Sequence, residues 1–159
     1  MIATIQKEYD IYKARYERHL HHSVEEVWAM LTDNTKLQQW FNELQITDLR
    51  KGGVIQFDMQ DGTFIDMQIL DYEPLKTLAF EWDKDIARFE LSPLANGCQL
   101  TFTETISSFT EQTIKDLAGW HVCLDVIEAI LDKRTIDSRE DEWKAWYVKY
   151  KELLEELKQ

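Results

Sequence analysis

The chain contains few residues of the kinds that cross-link a fold or interrupt its regular elements. Its 159 residues include two cysteines, two prolines and five glycines. Cys98 and Cys123 lack the spacing of metal ligands, so we expect both to be reduced thiols in the core of a cytoplasmic protein. There is no internal repeat and no low-complexity linker. We therefore expect one domain over residues 1–159, with a core at 14–134 and a C-terminal helical extension at 138–157.

Positive charge and long apolar runs are also scarce. Lysine and arginine together number 18 against 30 acidic residues, for a formal net charge of −12. Such a chain repels phosphate groups, which argues against nucleic acid or anionic membranes as partners. No segment approaches the roughly 18 consecutive apolar residues of a membrane span. The first twenty residues carry charges throughout, so we expect no signal peptide and a cytoplasmic location.

Helical periodicity is strongest between residues 110 and 134. The apolar residues of this segment recur at spacings of 3, 4, 3 and 4, which is one face of an α-helix: Leu117, Trp120, Leu124, Ile127 and Leu131. The segment contains no proline. We predict a helix over 110–134, nearly 40 Å long at about 1.5 Å per residue.

Before this helix the pattern predicts one strand, two short helices and a run of strands. Residues 14–20 alternate as a strand, and Ser23 with Glu26 forms a capping box that begins a helix. A second short helix is predicted over 36–41. From residue 53 the period becomes two, with hairpin turns at Asp61-Gly62 and Asn96-Gly97. The interior-facing residues of the first hairpin are predicted to be Ile55, Phe57, Met59, Ile65, Met67 and Ile69.

The predicted order is β-α-α-β-β-β-β-β-α, an antiparallel meander of about six strands covered by the long helix. Ser138 can cap one further helix. Its apolar stripe is aromatic at one end and aliphatic at the other: Trp143, Trp146, Tyr147, Tyr150, Leu153, Leu154 and Leu157. The fold class is therefore α+β.

Several segments in this order resemble a known family. They are Ser-Val-Glu-Glu-Val-Trp at 23–28, Leu-Thr-Asp at 31–33, Leu37 with Trp40-Phe41, the Gly52-Gly53 pair, and Gly119-Trp120 with Leu124. Together they are similar to the START-like, or SRPBCC, superfamily, and within it to homologues of the activator of Hsp90 ATPase. The resemblance covers roughly residues 14–134. It implies the helix-grip fold, a curved antiparallel sheet around a long C-terminal helix.

The resemblance also implies a function, because members of this superfamily bind lipids, hormones, polyketides and other hydrophobic small molecules. We expect a hydrophobic or amphipathic ligand in a cavity between the sheet and the long helix, although the same side chains suit a packed core. The candidate ligand-binding residues are Trp40, Phe41, Phe57, Met67, Phe80, Trp82, Phe89, Phe102, Glu104, Trp120 and Leu124.

Glu104 is the most informative single residue. Strand alternation places it on the inward face with Leu100 and Phe102, where an unpaired carboxylate costs several kcal/mol. It can lie at a water-filled mouth, pair with Arg18 of the first strand, anchor a ligand hydroxyl or amine, or act as an acid/base with a raised pKa.

Other polar patterns favour solvent-exposed surface. A strip on the long helix, His121, Asp125, Glu128 and Asp132, resembles a set of metal ligands because residues four apart share a face. It flanks the apolar stripe and no second histidine or cysteine completes it, so we expect it to face water. His21-His22 is expected to be an exposed turn. We assign no metal site, no cofactor and no catalytic residue.

A second functional hypothesis comes from the last helix. If Trp143, Trp146 and Tyr150 were exposed, they would form an apolar patch of a size that monomers rarely leave open. The chain would then be an interaction or co-chaperone-like module that contacts a partner protein or forms a homodimer.

Overall fold

A computed structural model of the chain describes residues 1–158. In chain order the elements are β1 (Thr4–Glu8), β2 (Ile11–Leu20), α1 (Val24–Thr32), α2 (Asn34–Trp40), β3 (Leu44–Asp48), β4 (Val54–Asp58), β5 (Phe64–Glu73), β6 (Thr77–Trp82), β7 (Asp85–Leu94), β8 (Gly97–Ile106), α3 (Glu111–Leu131) and α4 (Arg139–Leu157). Among the described helices, none is long and apolar enough to cross a membrane.

The strands form one open antiparallel sheet in the order β1-β2-β8-β7-β6-β5-β4-β3. This confirms the α+β class, with eight strands where about six were predicted. The two additional strands, β1 and β3, lie at the sheet edges. In β1 four of five side chains are exposed, so the segment lacks the apolar alternation that identifies a strand. In β3 only Leu44 and Ile46 are buried, which is too short a signal.

Local side-chain chemistry sets where the helices begin. The Ser23 hydroxyl accepts a hydrogen bond from the Glu26 backbone N–H at 3.1 Å, and the Glu26 carboxylate accepts one from the Ser23 backbone N–H, which is the predicted capping box. Ser138 likewise accepts from the Asp141 backbone N–H at the start of α4. The long helix α3 begins after Thr110 and ends at Leu131, so it is about 32 Å long.

The inner face of the sheet packs on α3 mainly as strand alternation predicted. Phe80, Phe89 and Phe102 from neighbouring strands are fully buried. Two predictions in the first hairpin are wrong: Met59 is 45% exposed and Ile65 is 49% exposed. Both lie near the tip of the β4–β5 hairpin, where no helix covers the sheet.

The final helix packs against α3 and covers the side of it that was expected to face water. His121 is 0% exposed, so its predicted place on a solvated strip is wrong. Tyr150 is also 0% exposed, and Trp143 and Trp146 are half-buried. The exposed aromatic patch on which the second hypothesis depends is therefore not formed, because Tyr150 is buried and Trp143 and Trp146 contact α3 of the same chain.

A buried polar network joins α4 to the rest of the molecule. A 2.7 Å hydrogen bond links His121 Nδ1 and the Tyr150 hydroxyl, which also accepts from the Ala3 backbone N–H at 3.0 Å. The Trp146 ring stacks on the His121 imidazole with centroids 3.5 Å apart. Arg18 Nη2 lies 3.4 Å from His121 Nε2 and 3.7 Å from Asp125. Sheet, long helix and terminal helix therefore meet at His121.

A candidate binding cleft beside a buried acidic cluster

An open cleft lies where α3, the start of α4 and the end of β6 meet. Its volume is about 500 Å³, within the range of small-molecule sites. Trp82 ends β6, Phe41 follows α2, Trp120 lies on α3 and Trp143 on α4. The remaining lining residues are polar or small: Glu43, Lys115, Asp116, Gly119, Val122, Cys123, Arg139 and Glu140.

The structure separates the eleven predicted ligand-binding residues into two groups. Phe41, Trp82 and Trp120 line the cleft. The others lie in the interior or at its margin, and all but the half-buried Phe57 are buried: Trp40, Phe57, Met67, Phe80, Phe89, Phe102, Glu104 and Leu124. The Trp40 indole N–H donates to the Met30 carbonyl at 2.7 Å, which satisfies it within the core.

Aromatic rings fill the space between the sheet and α3. The Trp120 ring centroid lies 4.5 Å from that of Phe102 and 5.0 Å from that of Trp82. Phe41 contacts Trp82 and Trp120, each with centroids 5.7 Å apart. These are ordinary packing distances for aromatic pairs. These contacts pack the rings closely between the sheet and α3, and the open cleft lies at the edge of this packed region.

Glu104 faces inward, as strand alternation predicted, and is 0% exposed. Its direct neighbours across the sheet are Ala14 and Ala87, whose short side chains leave it without a polar partner. Neither carboxylate oxygen forms a hydrogen bond within the described residues. Arg18 contacts His121 and Asp125, so of the alternatives for Glu104 the pairing with Arg18 is wrong.

Two further carboxylates lie beside Glu104. One oxygen each from Asp85, Glu104 and Asp116 lie within 4.8 Å of one another. Burial raises the pKa of Glu104 well above its usual value, and the negative charges of Asp116 and Asp85 raise it further. Burial also raises the pKa of Asp116, while hydrogen bonds from Gln112 and Trp82 act in the opposite direction. We call these three residues the acidic cluster.

The cleft and the acidic cluster share one residue, because Asp116 lines the cleft. Trp120, one turn further along α3, is buried with its indole N–H unpaired within the described residues. The cleft thus combines apolar rings with a carboxylate that can accept hydrogen bonds. The rings can contact the apolar part of a small molecule, and the carboxylate can accept a hydrogen bond from its polar part.

Cys123, which lines the cleft, is held as a protonated thiol. Burial raises the pKa of Cys123 to about 12, although Arg139 donates a hydrogen bond to its Sγ at 3.3 Å. The thiolate is therefore scarce at neutral pH. Cys98 is buried as well, and both cysteines are free thiols as expected.

Sequence reasoning missed Asp85, Asp116, Gly119 and Trp143. Asp85 had a usable signal, since it lies two and four residues before the inward-facing Ala87 and Phe89 on the same strand. Asp116 precedes Trp120 by one helical turn, which places both toward one side of α3. Trp143 had no such signal, because its position depends on how α4 docks.

Comparison with known proteins agrees with this architecture. Residues 21–132 match the family model described as activator of Hsp90 ATPase homolog 1-like protein. Among solved structures, a conserved protein of unknown function, EF2215 from Enterococcus faecalis, shares 30% sequence identity with this chain. The alignment covers 98% of this chain and 91% of EF2215, and the two structures superpose with a TM-score of 0.85.

More distant structures share the fold alone. BPP1335 from Bordetella parapertussis is 20% identical over 92% of this chain and 87% of its own, with a TM-score of 0.73. CalU16 from Micromonospora echinospora is 20% identical; the alignment covers 95% of this chain and 94% of CalU16, with a TM-score of 0.70. No curated protein gives a significant match. The family model spans most of the chain, and the chain therefore belongs to the activator of Hsp90 ATPase homolog 1-like family within the SRPBCC superfamily.

Proposed function

We propose that the protein binds a hydrophobic or amphipathic small molecule in the cleft between α3, α4 and the end of β6. The observation that carries the proposal is the cleft wall itself, where Phe41, Trp82, Trp120 and Trp143 border one open space of about 500 Å³. Aromatic side chains supply most of the binding free energy at such sites. The family commonly binds hydrophobic ligands, which supports the same conclusion.

The polar groups of the cleft indicate how the ligand is oriented. Asp116, Glu43 and Glu140 present carboxylates, and Lys115 and Arg139 present cations. We infer that the apolar part of the ligand lies on Trp120 and a hydroxyl or amine donates to Asp116. A buried donor–acceptor pair of this kind gives orientation and specificity more than affinity.

The cleft also bears on domain organisation. Trp143 belongs to the C-terminal extension, yet its indole N–H donates to the Lys115 carbonyl of α3 at 3.3 Å. We propose that the core at 14–134 and the extension at 138–157 act as one domain, since both contribute walls to the same cleft.

Native mass spectrometry of the purified chain tests the proposal. The expected result is a non-covalent adduct of small-molecule mass that dissociates on unfolding. In parallel, the neutral fluorophore N-phenylnaphthylamine should bind saturably and quench tryptophan emission, because three of the six tryptophans line the cleft. No adduct together with no saturable binding of the fluorophore would overturn the proposal.

A further inference from the structure

Three carboxylates from three separate elements converge beside the cleft, which one of them, Asp116, lines. Asp85 begins β7, Glu104 lies in β8, and Asp116 lies in the second turn of α3. One oxygen of each lies within 4.8 Å of the others. Oxygens on opposite sides of a cation with bonds of about 2.4 Å are about 4.8 Å apart, so the three oxygens lie within the span that one ion can bridge.

Glu104 provides an independent indication that this group binds something. It is 0% exposed, and neither of its oxygens has a hydrogen-bond partner within the described residues. Among residues 1–158, no lysine or arginine forms an ion pair with any of the three carboxylates. The charges that act on Glu104 are the negative charges of Asp116 and Asp85. An ionised carboxylate in this position needs a positive counter-charge.

We propose that Asp85, Glu104 and Asp116 bind one divalent cation of the hard, oxygen-preferring class, such as Ca²⁺ or Mn²⁺. Carboxylates are the ligands that these ions select, whereas zinc favours histidine and cysteine. Asp116 and Asp85 are only half-buried, so the ion can enter and keep water ligands on the side of the cleft. The carboxylate of Asp85 is held in place by donors from Ser107, its backbone N–H at 3.0 Å and its hydroxyl at 3.2 Å.

The competing occupant of the acidic cluster is a proton. A protonated Glu104 would donate a hydrogen bond to Asp85, and the cluster would then be neutralised in part without a metal. The two occupants differ in their response to added cations, since only a metal site is saturable by a divalent ion at constant pH.

Titration with Tb³⁺ tests the proposal directly, because this ion binds hard oxygen sites and its luminescence is excited through nearby indole rings such as Trp82 and Trp120. The wild-type chain should give saturable luminescence that Ca²⁺ or Mn²⁺ displaces. Glu104→Gln should lower Tb³⁺ affinity by roughly 10- to 100-fold or more. Glu128→Gln is the matched control, since Glu128 lies on the same long helix but outside both the cleft and the acidic cluster, and it should leave the affinity unchanged.

Thermal unfolding supplies a second readout. In the presence of a chelator, Glu104→Gln should have a higher melting temperature than the wild type, because it removes a buried charge without changing the size of the side chain. Saturating Ca²⁺ or Mn²⁺ should raise the wild-type melting temperature by several degrees and leave the variant unchanged. Equal Tb³⁺ binding by both chains, or no cation-dependent shift in the wild type, would overturn the proposal and assign the cluster to a proton. Fluorophore binding is measured in the presence of a chelator, which removes any bound cation. It therefore tests the proposed small-molecule site independently of the metal site.

Discussion

At the scale of single residues, the contacts of Tyr150 explain how the terminal helix is held. Its hydroxyl takes part in a 2.7 Å hydrogen bond with His121 and accepts one from the Ala3 backbone. The three residues come from α4, α3 and the segment before β1. One oxygen atom therefore connects both ends of the chain to the long helix.

Removing the Tyr150 hydroxyl should destabilise the folded chain. Tyr150→Phe keeps the ring and leaves both His121 Nδ1 and the Ala3 N–H buried without partners. We expect the free energy of unfolding to fall by about 2–3 kcal/mol, since each unsatisfied buried group costs about 1–3 kcal/mol. Urea denaturation followed by circular dichroism measures this difference.

Tyr147→Phe is the matched control for that experiment. Tyr147 is half-buried on the same helix, and its hydroxyl makes no hydrogen bond within the described residues. The change should alter stability by less than about 0.5 kcal/mol. Equal effects of the two substitutions would show that the His121–Tyr150 contact contributes nothing specific.

The environment of His121 also makes stability depend on pH. Burial, with the nearby charges of Arg18, the N-terminus and Lys149, lowers the pKa of His121 to about 3. Above pH 6.5 the imidazole is neutral in both states, so its contribution is fully present. As pH falls from about 6.5 towards 3 the unfolded chain gains a proton that the folded chain does not, and stability is lost at about 1.4 kcal/mol per pH unit.

Comparing the wild type with a His121 variant isolates the contribution of this residue to the pH dependence of stability. Burial raises the pKa of Glu104 and Asp116, so their protonation shifts stability in the opposite direction over part of the same interval. The wild-type free energy of unfolding minus that of His121→Gln should therefore fall by about 2 kcal/mol between pH 7 and pH 5. A difference that stays constant over this range would contradict a neutral buried His121.

Residue orientation was predictable from strand alternation in the centre of the sheet, but not at the tip of the β4–β5 hairpin, where Met59 and Ile65 are exposed. The period of two placed Glu104 and Phe102 on the inner face from sequence alone. The polar strip on α3 was wrong at His121, because the helical period identifies a second face but not what covers it. The covering residues come from α4, and their docking depends on tertiary packing that no local pattern records.

At the scale of elements, α4 stabilises the fold through its buried side. Leu154 is 3% exposed in the core, whereas Leu157, one turn further on, is 43% exposed. Leu154→Ala should lower the free energy of unfolding by about 2–4 kcal/mol, because it removes buried apolar surface and leaves a cavity. Thermal or chemical denaturation measures the loss.

The same substitution at Leu157 separates packing from helix propensity. Both changes replace leucine by alanine in one helix, but Leu157→Ala removes little buried surface and should change stability by less than about 0.5 kcal/mol. A small effect at both positions would mean that α4 is not docked against the core in solution.

Serine-capped helix starts and hairpin turns were the most predictable features, whereas the long helix ends at Leu131 and not at residue 134 as predicted. Ser23 and Ser138 began helices as expected, and the turns at Asp61-Gly62 and Asn96-Gly97 joined the predicted strands. Edge strands were the least predictable, because β1 buries almost nothing and so leaves no apolar period. The boundaries of a cleft formed by three elements are likewise a property of their packing.

At the scale of the whole molecule, the sheet and α3 form an interior packed with aromatic rings, and α4 adds a wall at its edge. The cleft of about 500 Å³ lies along that wall. The family resemblance predicted a ligand site between the sheet and the long helix, whereas the cleft lies at the edge of that interior, where α4 meets α3. We propose that this cleft, and not the packed interior, binds the small molecule.

Gly119 offers the most direct measurement of that claim. It lines the cleft, and an added Cβ there would meet only Trp143 Nε1, at 3.9 Å. Gly119→Ala favours the helix without filling the cleft, whereas Gly119→Leu projects a side chain into it. We predict that fluorescence titration with N-phenylnaphthylamine gives near wild-type affinity for Gly119→Ala and a loss of at least about tenfold, or ~1.4 kcal/mol, for Gly119→Leu. Equal affinity of the two variants would contradict the account.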